Sequence, residues 1–370
     1  MTATEQHISQ TLLLLLRTAL CPEQQPTKGV DTPVAWHEVY RLSQAQGVAA
    51  IAWDGLQRLM DEGLISTECA IERHTKLQWA LATENTAKRY NKQAKTIARL
   101  ADIYNEAEIK MMILKGYGLS KCYPCPEHRS CSDIDIWLFG EQERGDKHLR
   151  ERHNIAIDED KHHHTTFMLN GILVENHYDF LNIHSHHSSR DIERHLKATA
   201  NDAIAMDVEG RKAYIPNANC HALFLLRHAA AHFAAVEIVL RHITDWGLFV
   251  KRYHKDIDWQ WLRTICREQK MERFLDIMNA LASEVCGIEL SLMSATQRHE
   301  ALEHRVLNDI LCPEFSCTKP SRGMLRIIGF KLRRWWANRW KHRLVYREGL
   351  IRSFMVHSWS HILKPKGIKQ

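Results

Sequence analysis

Two carboxylates, Asp133 and Asp135, alternate with apolar residues in the stretch Ser132–Phe139, which reads Ser-Asp-Ile-Asp-Ile-Trp-Leu-Phe. Alternation with a period of two is typical of a β-strand, so both carboxylates should lie on the same face of it. Two like charges on one face repel each other, and a divalent cation that prefers oxygen ligands removes this cost. The stretch therefore predicts a Mg²⁺ site suited to the transfer of a phosphorus group.

A glycine-containing turn comes shortly before this acidic strand. The apolar run Lys110–Leu114 is typical of a short buried strand, and it is followed at once by Lys115-Gly116-Tyr117-Gly118. Glycine adopts backbone angles closed to other residues and leaves its backbone N–H groups accessible. With the cation of Lys115 beside it, the turn is suited to holding a triphosphate. Arg129 adds a second cation close to the acids.

Several of these motifs together resemble a known family. Leu114-Lys115-Gly116, Tyr123-Pro124, Arg129 and Asp133-Ile134-Asp135 are similar to a bacterial family of uncharacterised nucleotidyltransferases, within the DNA polymerase beta-like nucleotidyltransferase superfamily. The superfamily pattern is a strand, a glycine-rich turn, an acid-x-acid strand and a third acid on a later strand. The resemblance covers about residues 102–250 and includes a later helical segment with Arg241 and Asp245. The chain departs from it in having Gly116-Tyr117 where Gly-Gly or Gly-Ser is common.

Glu175 is the third acid that the resemblance implies, and it replaces the more common aspartate with a side chain one methylene longer. It lies in the apolar run Ile172–His177, directly after Asn170-Gly171. Asn-Gly between two extended runs is a strong hairpin signal, and such a hairpin would bring Glu175 beside the acidic strand. His177 should share the face of Glu175, and we interpret it as a hydrogen-bonded core histidine rather than a catalytic group.

The resemblance implies a Mg²⁺-dependent nucleotidyltransferase, which moves a nucleoside monophosphate from an NTP such as ATP to a hydroxyl-bearing acceptor and releases pyrophosphate. The residues that hold two Mg²⁺ ions and carry catalysis would be Asp133, Asp135 and Glu175. The nucleotide-binding residues would be Lys115, Gly116, Gly118 and Arg129. The NTP and the acceptor stay open. The alternatives are a catalytically idle nucleotide-binding or scaffold protein of the same fold, and a nucleic-acid-binding protein.

Composition places limits on the class of protein. The chain has 370 residues, of which 45% are apolar, so it can bury a sizeable core and is not expected to be disordered. The most apolar segment, Thr11–Leu20, is too short for a membrane span and contains Arg17. The N-terminus is typical of an amphipathic helix rather than a signal peptide. Ten scattered cysteines indicate reduced thiols and a cytoplasmic protein.

Other cysteines and histidines give weaker signals for metal binding. One loop holds four candidate zinc ligands, which are Cys122, Cys125, His128 and Cys131. A structural zinc site usually needs two spaced ligand pairs, so we do not expect one in this loop. His162–His164 should begin a strand and point to alternating faces. His228 and His232 are four residues apart on a predicted helix, and we interpret them as core or active-site polar residues.

The last fifty residues differ from the rest in charge. Residues 321–370 contain 13 Lys and Arg against one acid, so they carry +12 and residues 1–320 carry −6. The segment Arg333–Lys341 interleaves these cations with tryptophans. Three interpretations compete: an amphipathic helix on an anionic membrane surface, a nucleic-acid-binding segment, and a helix docked on the acidic body. The opposite charge of the body favours docking.

The predicted fold class is α+β, with a small mixed nucleotidyltransferase-type sheet flanked by N-terminal and C-terminal helical regions. The regions are an N-terminal helical region (1–107), the catalytic sheet (108–215), a C-terminal helical region (216–320) and a basic, aromatic helical tail (321–370). A second hairpin is expected at Met206–Ile215, with Glu209-Gly210 at its turn. The segments with helical spacing are Thr2–Leu20, Trp36–Asp61, Ile71–Ala107, Gln142–Arg152, a helix that begins at Pro216, Trp259–Leu311 and Arg322–Leu363.

Overall fold

The structure is a computed structural model that describes residues 2–159, 164–183, 186–235, 237–315 and 324–349. Within these ranges the chain forms 14 α-helices around one seven-stranded mixed sheet, which confirms the predicted α+β class. The helices are α1 (Ala3–Leu20), α2 (Trp36–Ala45), α3 (Ala49–Asp61), α4 (Arg73–Glu106), α5 (Tyr117–Ser120), α6 (Gln142–His153), α7 (His187–Ala200), α8 (Ala218–Ala235), α9 (Leu240–Tyr253), α10 (Trp259–Glu268), α11 (Glu272–Cys286), α12 (Glu300–Leu311), α13 (Met324–Ala337) and α14 (Arg339–Val345). The strands are β1 (Met112–Ile113), β2 (Ile134–Trp137), β3 (Ile157–Asp158), β4 (His164–Leu169), β5 (Ile172–His177), β6 (Ile204–Val208) and β7 (Arg211–Ile215).

Helix boundaries follow local chemistry in the N-terminal region. At the start of α1 the backbone N–H of Glu5 donates to the Thr2 hydroxyl, and the Glu5 carboxylate accepts from the Thr2 backbone, which is a capping box. The predicted helical stretch Trp36–Asp61 is two helices, α2 and α3. The break falls at Gly47, whose φ of 68° is readily adopted only by glycine.

Both predicted hairpins are present in the sheet. Its strand order is β3-β4-β5-β2-β1-β7-β6. Asn170 and Gly171 join β4 to β5 with φ of 51° and 66°, and Glu209 and Gly210 join β6 to β7 with φ of 51° and 75°. Two successive residues with positive φ are the requirement of the two-residue turn that matches strand twist. The first hairpin lies next to β2, because β5 pairs with β2 in parallel.

The two faces of the sheet have different neighbours. Ile134, Ile136 and Val174 belong to a core cluster that also contains side chains of α4 and α6. On the same face, Asn176 donates from Nδ2 to Asp146 of α6 at 2.8 Å. Because strand residues alternate, the odd-numbered side chains of β2 and β5 project from the opposite face. Asp135 and Glu175 are therefore on the face that α6 does not cover.

That opposite face meets the helical regions. Met112, Leu114 and Trp137 belong to a larger core cluster formed with residues of α1, α3, α8, α9 and α11. Helices α1 and α11 contact each other directly, so the N-terminal and C-terminal helices share one core. The sheet thus lies between a layer formed by α4 and α6 and the helical assembly. The acids lie on the side of the sheet that faces the helical assembly.

The basic tail is docked on the body through α14. Lys341 is buried and pairs with the buried Asp309 at 2.5 Å. Arg227 of α8 donates to the backbone carbonyl of Val345 at 3.1 Å. These contacts support the docked interpretation for α14.

Helix α13 exposes Ile328, Leu332 and Trp336. Contact of the tail with a membrane surface or nucleic acid stays a prediction. Of the predicted helix Arg322–Leu363, residues 322–323 and 350–363 lie outside the described residues, and α14 ends at Val345.

Two further findings concern thiols and membrane spans. Every cysteine in the described ranges is a free thiol. Among the same residues, no helix combines the length and the apolar content that crossing a bilayer requires.

An ion pair between α3 and the loop before β2 makes stability depend on pH. Nδ1 of His128 lies 2.8 Å from the Asp54 carboxylate. Burial lowers the pKa of His128, but its interactions with Asp54 and Cys125 outweigh this and raise that pKa to about 10. A histidine with a raised pKa in the folded state stabilises the fold fully below its unfolded pKa of about 6.5, and this stabilisation is lost as pH rises to about 10.

We expect the Tm difference between the wild type and Asp54→Asn to be largest near pH 6 and to shrink up to pH 10, as measured by thermal unfolding. A difference independent of pH would contradict the ion pair.

Candidate active site

The three predicted acids converge on one site. In the parallel pairing of β2 with β5, Asp135 lies directly opposite Glu175. Asp133 comes just before β2, and its carboxylate stays partly exposed. One carboxylate oxygen from each of the three residues lies within 4.8 Å of the others. This spacing permits a single cation to contact all three side chains.

Two cations already partly neutralise Asp135. Lys115 Nζ lies 3.3 Å from Asp135 Oδ1, and His177 Nε2 lies 3.0 Å from the same oxygen. Burial alone would raise the pKa of Asp135, but the charge of Lys115 and the hydrogen bond with His177 hold that pKa well below its usual range. Asp135 is therefore ionised at every physiological pH.

His177 connects two of the acids. Its Nε2 also lies 3.5 Å from Glu175 Oε2. Burial lowers the pKa of His177, but the hydrogen bonds to Asp135 and Glu175 outweigh burial and raise that pKa to about 9. The imidazolium is therefore the form present at neutral pH. Our interpretation of His177 as a hydrogen-bonded buried histidine agrees with these contacts, but its partners are the predicted catalytic acids themselves.

Glu175 has a second histidine neighbour that sequence reasoning missed. Nε2 of His164 lies 3.7 Å from Glu175 Oε1. The hydrogen bond with His177 lowers the pKa of Glu175, and the charges of both histidines act in the same direction. The signal was available, because a two-residue turn at Asn170-Gly171 pairs His164 with His177 across the hairpin. His162 and His163 lie outside the described residues.

The glycines of the predicted phosphate turn have different roles. Gly116 has a φ of 62°, so its conformation favours glycine. The expectation of an unusual backbone angle is wrong for Gly118, which is helical within α5. Gly118 is required for packing instead, because a Cβ there would lie 2.8 Å from Cγ2 of Ile215. Nucleotide binding by Lys115, Gly116 and Gly118 stays a prediction.

Helix α4 holds the backbone at the start of β2. Arg89 donates to the carbonyl of Ser132 at 2.6 Å, and Gln93 Nε2 donates to the carbonyl of Asp133 at 3.2 Å. The Ser132 hydroxyl donates to Asp133 Oδ1 at 2.8 Å. These bonds orient Asp133, although it lies outside the ladder. No sequence signal identified Arg89 or Gln93, since both are ordinary polar residues on a long helix.

Arg129, predicted to bind nucleotide, has a buried protein partner. Its Nε and Nη2 donate to the two carboxylate oxygens of Asp245 at 2.7 Å each, and Tyr123 donates to the same carboxylate at 2.7 Å. Burial would raise the pKa of Asp245, but the charge of Arg129 lowers it. Asp245 lies on α9, so this network joins the loop before β2 to the helical assembly. The geometry gives no support to a nucleotide role for Arg129, which stays a prediction.

Three histidines gather on the helices that face the site. The ring centroids of His228 and His232 on α8 are 4.5 Å apart, and that of His242 on α9 lies 5.7 Å from His232. Burial, then the positive charge of Lys115, lowers the pKa of His228 well below its ordinary value. Burial likewise lowers the pKa of His242 to about 3. Both rings are therefore neutral at pH 7. The surroundings of His228 agree with its interpretation as a core or active-site polar residue.

The four candidate zinc ligands of this loop do not form one group in the structure. Cys125 and His128 lie with Asp54 in one group of ligand atoms within 4.8 Å. Cys131 instead accepts a hydrogen bond from Arg129 Nη1 at 3.0 Å. Burial raises the pKa of Cys122 to about 12, which disfavours its thiolate.

Comparison with known proteins gives one family and one solved structure. A family model described as uncharacterised nucleotidyltransferase matches residues 32–287, more than half of the chain. A crystal structure of an antigenic nucleotidyltransferase-like protein from Paracoccidioides brasiliensis aligns with 14% identity and a TM-score of 0.34, over 52% of this chain and 93% of that one. Among curated proteins, no match was found.

Breaking the Arg129–Asp245 pair should destabilise the fold strongly. Removing one partner leaves a buried, uncompensated charge, which costs about 3–5 kcal/mol. We expect Arg129→Met and Asp245→Asn each to lower the free energy of unfolding by this amount in urea titrations. The double variant Arg129→Met/Asp245→Asn should lose less than the sum of the two.

The control is the exposed ion pair between Lys88 and Glu84, whose atoms lie 2.7 Å apart on the surface of α4. Lys88→Met should change the free energy of unfolding by at most about 0.5 kcal/mol. Equal small effects at both pairs would show that the Arg129–Asp245 network does not hold the loop.

Proposed function

The chain belongs to the family of uncharacterised nucleotidyltransferases, and from this premise we propose that it is a Mg²⁺-dependent nucleotidyltransferase of the DNA polymerase beta-like superfamily. It transfers a nucleoside monophosphate from an NTP to a hydroxyl-bearing acceptor, with release of pyrophosphate. The observation that carries the proposal is the convergence of Asp133, Asp135 and Glu175, with Asp135 and Glu175 in register on neighbouring parallel strands.

The donor set of the site fits Mg²⁺. Three carboxylates offer hard oxygen ligands, which Mg²⁺ prefers to imidazole. The charges of Lys115 and His177 both lie against Asp135. The remaining negative charge at Asp133 and Glu175 favours a cation. Asp133, Asp135 and Glu175 would hold two Mg²⁺ ions, which would neutralise charge on both the entering and the leaving oxygens.

Lys115 and the Gly116 turn hold the triphosphate. Lys115 is near Asp135 yet remains 23% exposed, so its ammonium can reach both the acid and a bound phosphate. Gly116 turns the chain directly after the strand, and backbone N–H groups of such turns bind anions. In this proposal the triphosphate lies between the Gly116 turn and the acids, because Lys115 is next to both.

The transfer is an in-line displacement at the α-phosphorus. The acceptor oxygen forms a bond to the α-phosphorus as the bond from that phosphorus to the bridging oxygen of pyrophosphate breaks. The hydroxyl proton passes to Glu175, whose side chain is 21% exposed and can release it to water. Positioning and charge neutralisation account for most of the catalysis in phosphoryl chemistry, so no covalent intermediate with the chain is needed.

The first test removes the acids one at a time. Each of the four NTPs is incubated with Mg²⁺, the protein and a pool of hydroxyl-bearing metabolites, and products with an added monophosphate are found by mass spectrometry. Asp133→Asn should reduce transfer to background, because the site loses a ligand carboxylate. Glu175→Gln should reduce it by at least about 10²–10⁴-fold, the usual contribution of a general base, because the site also loses a ligand carboxylate. Circular dichroism checks that each variant is folded.

The matched controls are Asp202→Asn and Glu268→Gln, which make the same chemical changes at exposed positions and should leave transfer unchanged. Undiminished transfer in Asp133→Asn would refute the assignment. Calorimetric binding of an NTP with Mg²⁺, combined with no transfer to any acceptor, would instead support the catalytically idle nucleotide-binding protein.

A further inference from the structure

We propose that Glu106, His148 and His153 form a zinc site separate from the three carboxylates. Nε2 of His153 lies 3.1 Å from Glu106 Oε2, and Nε2 of His148 lies 3.8 Å from the same oxygen. The two imidazole nitrogens are 3.3 Å apart. Three metal-ligating atoms from two helices therefore lie within 3.8 Å of one another.

The spacing of these atoms matches one face of a tetrahedral zinc site. Zinc binds imidazole nitrogen and carboxylate oxygen at about 2.0–2.2 Å, so neighbouring ligands in a tetrahedron are about 3.3–3.5 Å apart. The observed separations of 3.1, 3.3 and 3.8 Å bracket this value. A cation can reach all three atoms with side-chain shifts of a few tenths of an ångström, which leaves a fourth position open to water.

The donor types select zinc over the cation of the carboxylate site. Two imidazoles and one carboxylate suit borderline metals such as Zn²⁺, whereas Mg²⁺ and Ca²⁺ prefer oxygen throughout. Two histidines and one glutamate are a known ligand set of zinc sites with an open position.

The backbone favours a cation at this place. Glu106 is the last residue of α4 and His153 is the last residue of α6. Unpaired carbonyl groups make a helix C-terminus partly negative, so two such ends meeting at one point attract positive charge. Asn154, with a φ of 52°, ends α6 directly after His153. The imidazoles are held in place, because their side chains are only 17% and 13% exposed.

The position of the site suggests a cross-link in the layer that supports the catalytic strand. Helix α6 covers the sheet face opposite Asp135 and Glu175, since its Asp146 accepts from Asn176 of β5. Helix α4 packs on the same face and holds the Asp133 backbone through Gln93. Zinc bound between their ends fastens these two helices together and stabilises the folded chain.

The test is calorimetric titration of the full chain with Zn²⁺ after removal of metals by a chelator, in a buffer with excess Mg²⁺ to occupy the carboxylate site. We expect one Zn²⁺ per chain bound in the micromolar range or tighter, with a raised Tm. His148→Gln/His153→Gln and, separately, Glu106→Gln should weaken binding at least about 10-fold. Glu106 is 51% exposed, so its variant should fold normally. The matched control is His74→Gln, an exposed position near the start of α4.

Cobalt distinguishes this site from the group of Asp54, Cys125 and His128. Co²⁺ at the proposed site should show the visible absorption of a low-coordinate ion without thiolate charge transfer, and the His148/His153 variant should lose it. Thiolate charge transfer, Zn²⁺ binding unchanged in the variants, or no binding below millimolar Zn²⁺ would overturn the proposal. None of these readouts depends on nucleotide transfer, so the proposed enzymatic function can fail while the zinc site stands.

Discussion

The repulsion between three carboxylates within 4.8 Å is the constraint around which this molecule is organised. Like charges this close raise each other's pKa unless cations compensate them. Lys115 and His177 provide such compensation at Asp135, and both belong to segments adjacent to the acids. Cationic side chains of the protein thus offset part of the negative charge of the three acids. Negative charge remains on the side of the site that faces the helical assembly. This residual negative charge is the basis of the proposed Mg²⁺ site.

Strand pairing turns this local chemistry into a site. Asp135 and Glu175 are forty residues apart in sequence, but parallel pairing of β2 with β5 places them directly opposite each other. The Asn170-Gly171 turn sets the hairpin register, and a slip of one residue would move Glu175 to the face covered by α6. The tight turn is therefore a determinant of the site as much as of the sheet.

A buried ion pair joins the sheet to the helices around it. The buried pair of Arg129 with Asp245, reinforced by Tyr123, fixes the loop before β2 against α9. Three of the residues that carry the family resemblance, Tyr123, Arg129 and Asp245, thus meet in one structural network. Tyr123 and Arg129 come shortly before Asp133 in sequence, so part of the resemblance reflects packing that supports the acidic strand.

The sequence by itself predicted the strand now seen at Ile134–Trp137 and both hairpins, and the family resemblance implied the three acids that the structure brings together. The strand and the hairpins follow from local rules, which are side-chain alternation and the positive φ of the Asn-Gly and Glu-Gly turns. Tertiary structure alone decided that Arg129 faces Asp245, that Gly118 is needed for packing against Ile215, and that Arg89 and Gln93 support the acids. These contacts join distant segments, and their energies depend on burial and distance that only the packed chain defines. A charged or polar residue has many partners available along a sequence, and the fold selects one.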